Sequence, residues 1–140
     1  MIEYSYTKIS DNLAIPFAPT LNLVLVHPDE SRQRQYPIEA FLDTGSDCTL
    51  IPLEAVSILQ LPMLKTKELI TGVGGGNTIG YPCRVSLELG GVSFVGVKVL
   101  SCEARLIGGA QRMILGRDIL NQCCIKFDGK RRRFSFEIDD

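Results

Sequence analysis

Short apolar segments alternate with turn residues along the chain, and their spacing is that of β-strands. Apolar and β-branched residues gather in short runs, and glycine, proline, asparagine or aspartate separates one run from the next. Such a succession is typical of an all-β sandwich or barrel. The pattern predicts strands at residues 2–9, 21–26, 36–42, 66–71, 78–89, 92–101, 112–115, 124–127 and 133–138.

Two glycine-containing turns are expected to join neighbouring strands into hairpins. Residues 85–89 alternate apolar and polar side chains, as a strand with one buried face does. The pair Gly90-Gly91 follows and supplies a tight hairpin turn. Asp128-Gly129 supplies a second turn of the same kind, which leads into the last predicted strand.

Helices are expected to be few and short. One is predicted at residues 52–58, where Pro52 suits the first helical position, and another at residues 117–122, after a glycine. No internal repeat, low-complexity tract or linker interrupts the pattern. The sequence therefore predicts a single domain over residues 1–140.

Composition and charge exclude several classes of protein. The 140 residues carry 15 Lys and Arg against 16 Asp and Glu, a net charge of −1 with the single histidine neutral. Apolar residues make up 45% and charged residues 22%, a mixture that excludes a disordered or fibrous chain. A net charge near zero gives no electrostatic basis for binding nucleic acid or an acidic membrane. No apolar run approaches the roughly 20 residues of a membrane span, and we expect no signal peptide in the first 20 residues.

The cysteines indicate a reducing compartment. There are five of them, an odd number, and none forms a Cys-x-x-Cys pair, which argues against both a disulfide framework and a zinc site. Cys123 and Cys124 are adjacent, so on an extended segment their thiols point to opposite faces. We expect one buried and one exposed free thiol there, and a cytoplasmic protein.

Other catalytic and binding motifs are weak in this sequence. His27 would have to be the base of any Ser-His or Cys-His mechanism, but it lies between an apolar run and Pro28, where an exposed turn histidine is expected. The glycine run 74–76 is not followed by the helix of a phosphate-binding loop. The basic run 130–133 follows a hairpin turn without interleaved aromatic residues, which favours a solvated turn over a nucleic-acid patch.

The segment richest in chemistry is residues 43–47, Asp-Thr-Gly-Ser-Asp, at the end of a predicted apolar strand. A carboxylate in that place is partly desolvated, which favours its protonated form. Gly45 allows a tight turn and the close approach of another chain. Taken alone, the tripeptide Asp-Thr-Gly is equally compatible with an ordinary surface turn.

Two further segments follow Asp43 in order. Residues 70–76, ITGVGGG, are expected to form a glycine-rich hairpin tip. Residues 113–120, MILGRDIL, place Gly, Arg and an acid between apolar pairs about 70 residues after Asp43. Over about residues 36–127 the ordered set resembles the retroviral-type (retropepsin-like) aspartic protease family. The resemblance implies an all-β acid-protease barrel, closed or partly open, with a flap hairpin and one or two short helices. It also implies a single lobe that acts as a homodimer.

The resemblance assigns a role to each residue of the first segment. Asp43 matches the catalytic aspartate, and Thr44 matches the threonine whose hydroxyl braces the two active-site loops. Gly45 matches the residue that contacts the substrate backbone. Ser46 agrees with members that carry Ser or Thr at that position, and we expect its hydroxyl to donate a hydrogen bond to the ionised catalytic pair.

Roles also follow for the other two segments. The backbone amide of Val73, at the tip of the flap, is expected to reach the substrate through a water molecule. Asp47 and Arg117 match a structural ion pair that ties the active-site loop to the C-terminal helix, and we expect this pair to be partly buried. The residues expected to form the flap and contact substrate are Thr71, Gly72, Val73 and Gly74.

One catalytic aspartate per chain implies a dimer. Aspartic proteolysis needs two facing carboxylates, one ionised to activate water and one protonated to polarise the scissile carbonyl. The chain contains one Asp-Thr-Gly, and a two-lobed monomer would need roughly twice the length. A two-fold homodimer supplies the second Asp43 by symmetry. Because water is the nucleophile, no metal or cofactor is required.

Two functions remain open from the sequence. The first is a homodimeric aspartic endopeptidase that cleaves extended, largely apolar polypeptide segments. The second is a non-catalytic dimer that uses the same cleft to bind peptides or serves as a scaffold. Every position of the catalytic motif is filled, which favours the enzyme.

The two end segments offer candidate interface strands. Residues 2–6 and 133–138 alternate polar and apolar side chains, and strands of this kind are normally paired or covered. We expect the C-terminal strand to contribute to the dimer interface. The alternative is that both segments pack within their own subunit.

Overall fold

Strands dominate the computed structural model, which describes residues 2–29, 34–64, 66–71 and 76–137. The described strands are β1 (Ile2–Ser5), β2 (Thr20–Val26), β3 (Gln35–Leu42), β4 (Leu50–Pro52), β5 (Glu68–Thr71), β6 (Asn77–Leu89), β7 (Val92–Cys102), β8 (Arg112–Leu115), β9 (Cys124–Asp128) and β10 (Arg133–Glu137). The helical segments are α1 (Leu53–Leu59), α2 (Arg117–Leu120) and a 3₁₀ turn at Ala104–Leu106.

Six strands close into a barrel. Their order is β2-β3-β8-β4-β7-β6, and residues 24–26 of β2 pair with residues 86–88 of β6 to complete the ring. β5 extends the sheet beyond β6. Closure pairs the backbone N–H and C=O groups of strand edges that would otherwise be open to pairing with other chains. The predicted all-β barrel with short helices is confirmed.

The core follows from the alternation of side chains along the strands. In β3, Tyr36, Ile38, Ala40 and Leu42 are buried, while the residues between them are more exposed. Burial of each large apolar side chain contributes about 1.5–3 kcal/mol to stability. β3 is therefore anchored along its length, up to the residue before Asp43.

β1, β10 and β9 form a separate antiparallel sheet with β10 in the middle. β10 pairs with β1, where Ile2 lies opposite Phe136, and with β9, where Phe127 lies opposite Phe134. Phe134 is buried, and its ring stacks on Tyr4 with centroids 5.2 Å apart. Both edges of β10 are occupied by strands of the same chain. β10 therefore pairs within its own subunit, and the expectation that the C-terminal strand contributes to the dimer interface stays a prediction.

Both predicted hairpin turns are present. Gly90 and Gly91 join β6 to β7 with φ of 48° and 92°, the left-handed values that a two-residue hairpin turn requires. At the turn between β9 and β10, the Asp128 carboxylate accepts a hydrogen bond from the backbone N–H of Arg131 at 3.1 Å. The basic side chains of this turn are exposed, as the prediction of a solvated turn requires.

Several element limits differ from the sequence predictions. β4 was not predicted, because three residues are too few to show an alternation; they form a strand because β7 and β8 pair with them on either side. Pro52 is the N-cap of α1 rather than its first helical residue, and α2 ends at Leu120. β1 ends at Ser5, and Ile138 lies outside the described residues.

Candidate active site

The loop of residues 43–49 crosses the end of the barrel because β8 lies between β3 and β4. β8 runs parallel to β3, with Leu42 opposite Leu115, and antiparallel to β4. The backbone N–H of Asp43 donates to the carbonyl of Leu115 at 3.0 Å, and the N–H of Arg117 donates to the carbonyl of Ser46 at 2.9 Å. Backbone hydrogen bonds from a distant segment thus fix the active-site loop at two points.

Asp43 begins a tight turn at the surface of the single chain. Its Oδ1 accepts a hydrogen bond from the N–H of Gly45 at 2.9 Å, and its carbonyl accepts one from the N–H of Ser46 at 3.2 Å. The side chain of Asp43 is half-buried, whereas Thr44 and Gly45 are exposed. The carboxylate is therefore oriented by its own turn and presented at the surface.

Gly116 lies where the two segments come closest. A Cβ built on Gly116 would lie 2.3 Å from the carbonyl oxygen of Cys48 and 3.0 Å from its backbone nitrogen. A backbone atom cannot move aside as the end of a flexible side chain can. Glycine at this position is what allows the active-site loop to rest directly on the start of α2.

Thr49 joins the same two segments through its side chain. It is fully buried, and its hydroxyl donates to Oδ1 of Asp118 at 2.7 Å and accepts from the N–H of Gly116 at 3.1 Å. The sequence motif contains Asp118 but indicates no role for it, and no sequence pattern marks Thr49. In the sequence Thr49 is only a threonine directly before an apolar pair, a pattern too common to indicate a structural role.

Two cavities flank Asp43. The smaller, of about 340 Å³, has a mainly apolar lining that includes Phe41, Leu42, Ile114 and Asp43 itself. The larger, of about 540 Å³, lies between residues 45–48 of the active-site loop, residues 68–70 of β5 and residues 98–100 of β7. Asp43 itself lines the smaller cavity, and the larger one begins at Gly45, two residues further along the loop.

β5 and the paired residues 77–80 of β6 form a hairpin arm along the larger cavity. Ile70 of the arm packs over Gly80, where an added Cβ would lie 2.9 Å from Ile70 Cδ1. Thr71 ends β5 opposite Asn77. The other residues expected to form the flap lie outside the described part of the chain; they are Gly72, Val73 and Gly74.

Comparison with protein families agrees with this geometry. A family model described as aspartyl protease matches residues 32–119, which is more than half of the chain. The chain belongs to the aspartyl protease family. It is an aspartic-type peptidase with a retropepsin-like fold.

Solved structures of other proteases are similar to this aspartyl protease in fold. It is similar to the EIAV protease complexed with the inhibitor HBY-793, at 26% identity over 81% of this chain and 92% of that chain, with a TM-score of 0.54. It is also similar in fold to a retropepsin-like aspartic protease from Rickettsia conorii, at 14% identity over 99% of this chain and 93% of that chain, with a TM-score of 0.55. Comparison with curated proteins gives no match.

Arg117 and Asp47 of the aspartyl protease are brought together as expected, but at the surface. The guanidinium hydrogen-bonds the Asp47 carboxylate and also donates to the carbonyl of Thr44 at 2.8 Å. In the single chain the two side chains are 43% and 87% exposed. The expectation of a partly buried pair is wrong for the single chain, because Asp47 projects from the loop tip into solvent.

Ser46 is engaged differently from the expectation. Its hydroxyl donates to the carbonyl of Cys48 at 2.7 Å, which tightens the loop two residues further on. The expected hydrogen bond from Ser46 to the catalytic carboxylates is not formed in the single chain. The side chain braces the loop that carries Asp43.

The remaining candidate residues lie apart from Asp43. His27 is half-buried rather than exposed, and its Nδ1 accepts a hydrogen bond from the N–H of Asp29 at 2.9 Å. Cys124 is exposed and Cys123 is half-buried, and both are free thiols. Within the described ranges, no three His, Cys, Asp or Glu side chains are arranged to hold a metal ion. None of the described helices has the length and apolar character needed to cross a membrane.

Proposed function

We propose that two copies of this aspartyl protease associate about a two-fold axis and form a homodimeric endopeptidase whose catalytic pair is Asp43 and its symmetry mate. The observation that carries the proposal is the placement of Asp43. Each chain has one Asp-Thr-Gly, and its carboxylate is held at the surface of the single chain between two cavities. A two-fold axis beside the exposed Thr44 and Gly45 brings the same residues together from both sides.

The proposed reaction uses the two carboxylates in different protonation states. Two carboxylates a few ångströms apart do not ionise together easily, so one proton is shared between them. The ionised Asp43 takes a proton from water as the water oxygen attacks the scissile carbonyl carbon. The protonated Asp43 donates its proton to the carbonyl oxygen, which gives a gem-diol. As the C–N bond breaks, the proton taken from water passes to the amide nitrogen, and a gem-diol hydroxyl returns its proton to the other Asp43, which leaves an acid and an amine.

The surroundings of Asp43 support an extended polypeptide as substrate. A polypeptide that runs past Asp43 would enter the smaller cavity, whose lining beside the carboxylate is mainly apolar, and the larger cavity beside Gly45. A peptide in that position places an aliphatic or aromatic side chain next to the scissile bond. The hairpin arm is proposed to close over the peptide and reduce the access of bulk water.

The decisive experiment measures cleavage of a denatured protein substrate as the enzyme is diluted. If the site exists only in the dimer, specific activity falls as the dimer dissociates into single chains. The concentration at which activity is lost should then equal the concentration at which sedimentation detects dissociation. Asp43→Asn is expected to abolish cleavage without changing the dimer. Asp128→Asn makes the same change at the aspartate of the turn between β9 and β10, outside both cavities, and is the matched control.

Mixing gives an independent test of the shared site. An excess of Asp43→Asn chains is expected to suppress wild-type activity, because mixed dimers carry one catalytic carboxylate. Undiminished specific activity in a fully monomeric sample would contradict the shared pair. Equal peptide binding by wild type and Asp43→Asn, with no cleavage by either, would instead establish a binding module.

A further inference from the structure

The larger cavity combines an apolar floor with a charged rim. Val99 and Leu100 of β7 line its floor, and it opens beside Gly45, two residues from the catalytic carboxylate. Among its described lining residues, the charged groups are three carboxylates and one ammonium, those of Asp47, Glu68, Asp118 and Lys98. An apolar floor with an excess of negative charge at the rim suits a side chain that has a long hydrocarbon stem and a cationic head.

The three carboxylates differ in how firmly they are held. Asp118 receives hydrogen bonds on both oxygens, from Thr49 and from the backbone N–H of Ile119, all within 3.0 Å. Asp47 is bound by the guanidinium of Arg117. Both of these carboxylates are therefore committed to holding the active-site loop against α2.

Glu68 has a partner that can be exchanged. Its Oε1 lies 3.0 Å from the Nζ of Lys98, and the two side chains are 40% and 49% exposed. An ion pair with this exposure is worth about 0–1 kcal/mol, so a competing cation can take its place at little cost. Glu68 also stands on the hairpin arm and Lys98 on the barrel, so the pair spans the cavity mouth.

The pKa of the Cys48 thiol, in the cavity wall, is affected by the charges around the cavity. Burial raises the pKa of Cys48, and the nearby charges of Asp118, Asp47 and Glu68 raise it further, while Lys98 lowers it. Three of the carboxylates that line the cavity therefore lie close enough to act on a group in its wall.

We propose that the larger cavity is a subsite for an arginine or lysine side chain of the substrate and that Glu68 is its specificity-determining residue. The inference rests on the proposed function and names the substrate class of that site. The stem of the side chain lies along Val99 and Leu100, and its cationic head pairs with Glu68 in place of the Lys98 ammonium, which turns to solvent. An acidic side chain is rejected by the carboxylates around it.

The test begins by mapping cleaved bonds in a denatured protein by mass spectrometry. Peptides built on one cleaved sequence then carry Arg, Gln or Glu at each position around the scissile bond in turn. Wild type is expected to favour Arg over Gln in kcat/KM by about 1.5- to 5-fold at one position on each side of the bond, because each subunit brings one cavity. The preference is expected to shrink as salt is raised.

Variants identify the residue responsible for the preference. Glu68→Gln is expected to abolish the preference for Arg over Gln in kcat/KM. Lys98→Met is expected to enlarge that preference, because it removes the competing ammonium. Glu88→Gln makes the same charge change on an exposed residue of β6 outside the cavity and is expected to keep the wild-type ratio. Cleavage with no preference for Arg, or a preference unchanged by Glu68→Gln, would overturn the inference and leave the proposed function standing.

A binding measurement separates the two proposals. Fluorescence anisotropy of the same labelled peptides with Asp43→Asn, at concentrations where wild type is dimeric, reports the subsite without cleavage. An Arg preference in binding that Glu68→Gln removes, combined with wild type that cleaves no peptide, would overturn the proposed function and retain the subsite. Binding without any Arg preference would overturn the subsite.

Discussion

Thr49 and Asp118 stand 69 residues apart in the chain and share two hydrogen bonds, one on each carboxylate oxygen. The threonine hydroxyl and backbone N–H are both donors in this contact, so Asp118 acts as a two-point acceptor for a single buried residue. The contact fixes the spacing between the active-site loop and α2. Its role is to position Asp43 rather than to touch substrate.

Removing this contact is expected to lower stability from either side. Thr49→Val leaves the buried Gly116 N–H without its acceptor, at a cost of about 1–3 kcal/mol in the free energy of unfolding, while Oδ1 of Asp118 keeps the N–H of Ile119. Asp118→Ala is expected to cost a similar amount. The double variant should lose less than the sum, with a coupling energy of about 0.5–3 kcal/mol. Urea unfolding of wild type, the two single variants and the double variant measures this coupling energy. Strictly additive losses of stability would contradict the contact.

Gly116→Ala is expected to displace the active-site loop. The new methyl group would overlap the Cys48 carbonyl, so the backbone must shift, at a cost of about 1–3 kcal/mol together with loss of peptidase activity. Gly129→Ala is the matched control, because a Cβ there meets no atom within 4 Å. Its stability is expected to change by no more than about 0.5 kcal/mol. Thermal unfolding and cleavage assays of the two variants decide the question.

Arg117→Leu is expected to reduce activity more than stability. The ion pair with Asp47 is exposed, so its loss costs about 1 kcal/mol or less, rather than the 3–5 kcal/mol estimated for breaking a buried pair. The same change frees the Thr44 carbonyl and loosens the loop that carries Asp43. Arg105→Leu breaks another exposed pair, with Glu103, and serves as the control. A loss of stability above about 3 kcal/mol in Arg117→Leu would show that the pair is buried in the working assembly.

Thiol reagents are expected to distinguish the exposed Cys124 from the buried and half-buried cysteines. Burial raises the pKa of Cys83 to about 12 and the pKa values of Cys102 and Cys123 to about 11. Because the thiolate is the reacting form, these three react slowly at pH 8 and faster as the pH rises toward those values. Cys124 is exposed and should give the fast phase. Cys124→Ser should remove that phase, and urea should release the slow thiols; a fast phase that survives in Cys124→Ser would contradict this assignment.

The sequence predicted those parts of the fold that depend on local patterns. The alternation in β3 and the glycine pair after β6 are visible over a few residues, and the structure has both. β4 was missed because its pairing with β7 and β8 joins segments far apart in the chain, and three residues carry no period of their own.

The active site was predicted unevenly for a similar reason. Asp43 and Arg117 belong to short motifs that can be recognised in order. Thr49 is an ordinary threonine until the fold brings it to Asp118, and the direction of the Ser46 hydroxyl depends on the turn that follows it. Exposure of Asp47 could not be inferred from residue type, because it is set by how far the loop projects.

The insertion of β8 between β3 and β4 also dictates when the catalytic loop can be assembled. Asp43 is synthesised long before residues 112–118, which supply the Leu115 carbonyl and the carboxylate of Asp118 that hold its loop. Pairings between such distant segments form slowly, since a long loop must close before any contact stabilises it. A nascent chain that lacks residues 112–118 therefore carries the aspartate without the scaffold that orients it. Orientation of Asp43 is therefore expected only after residues 112–118 have left the ribosome.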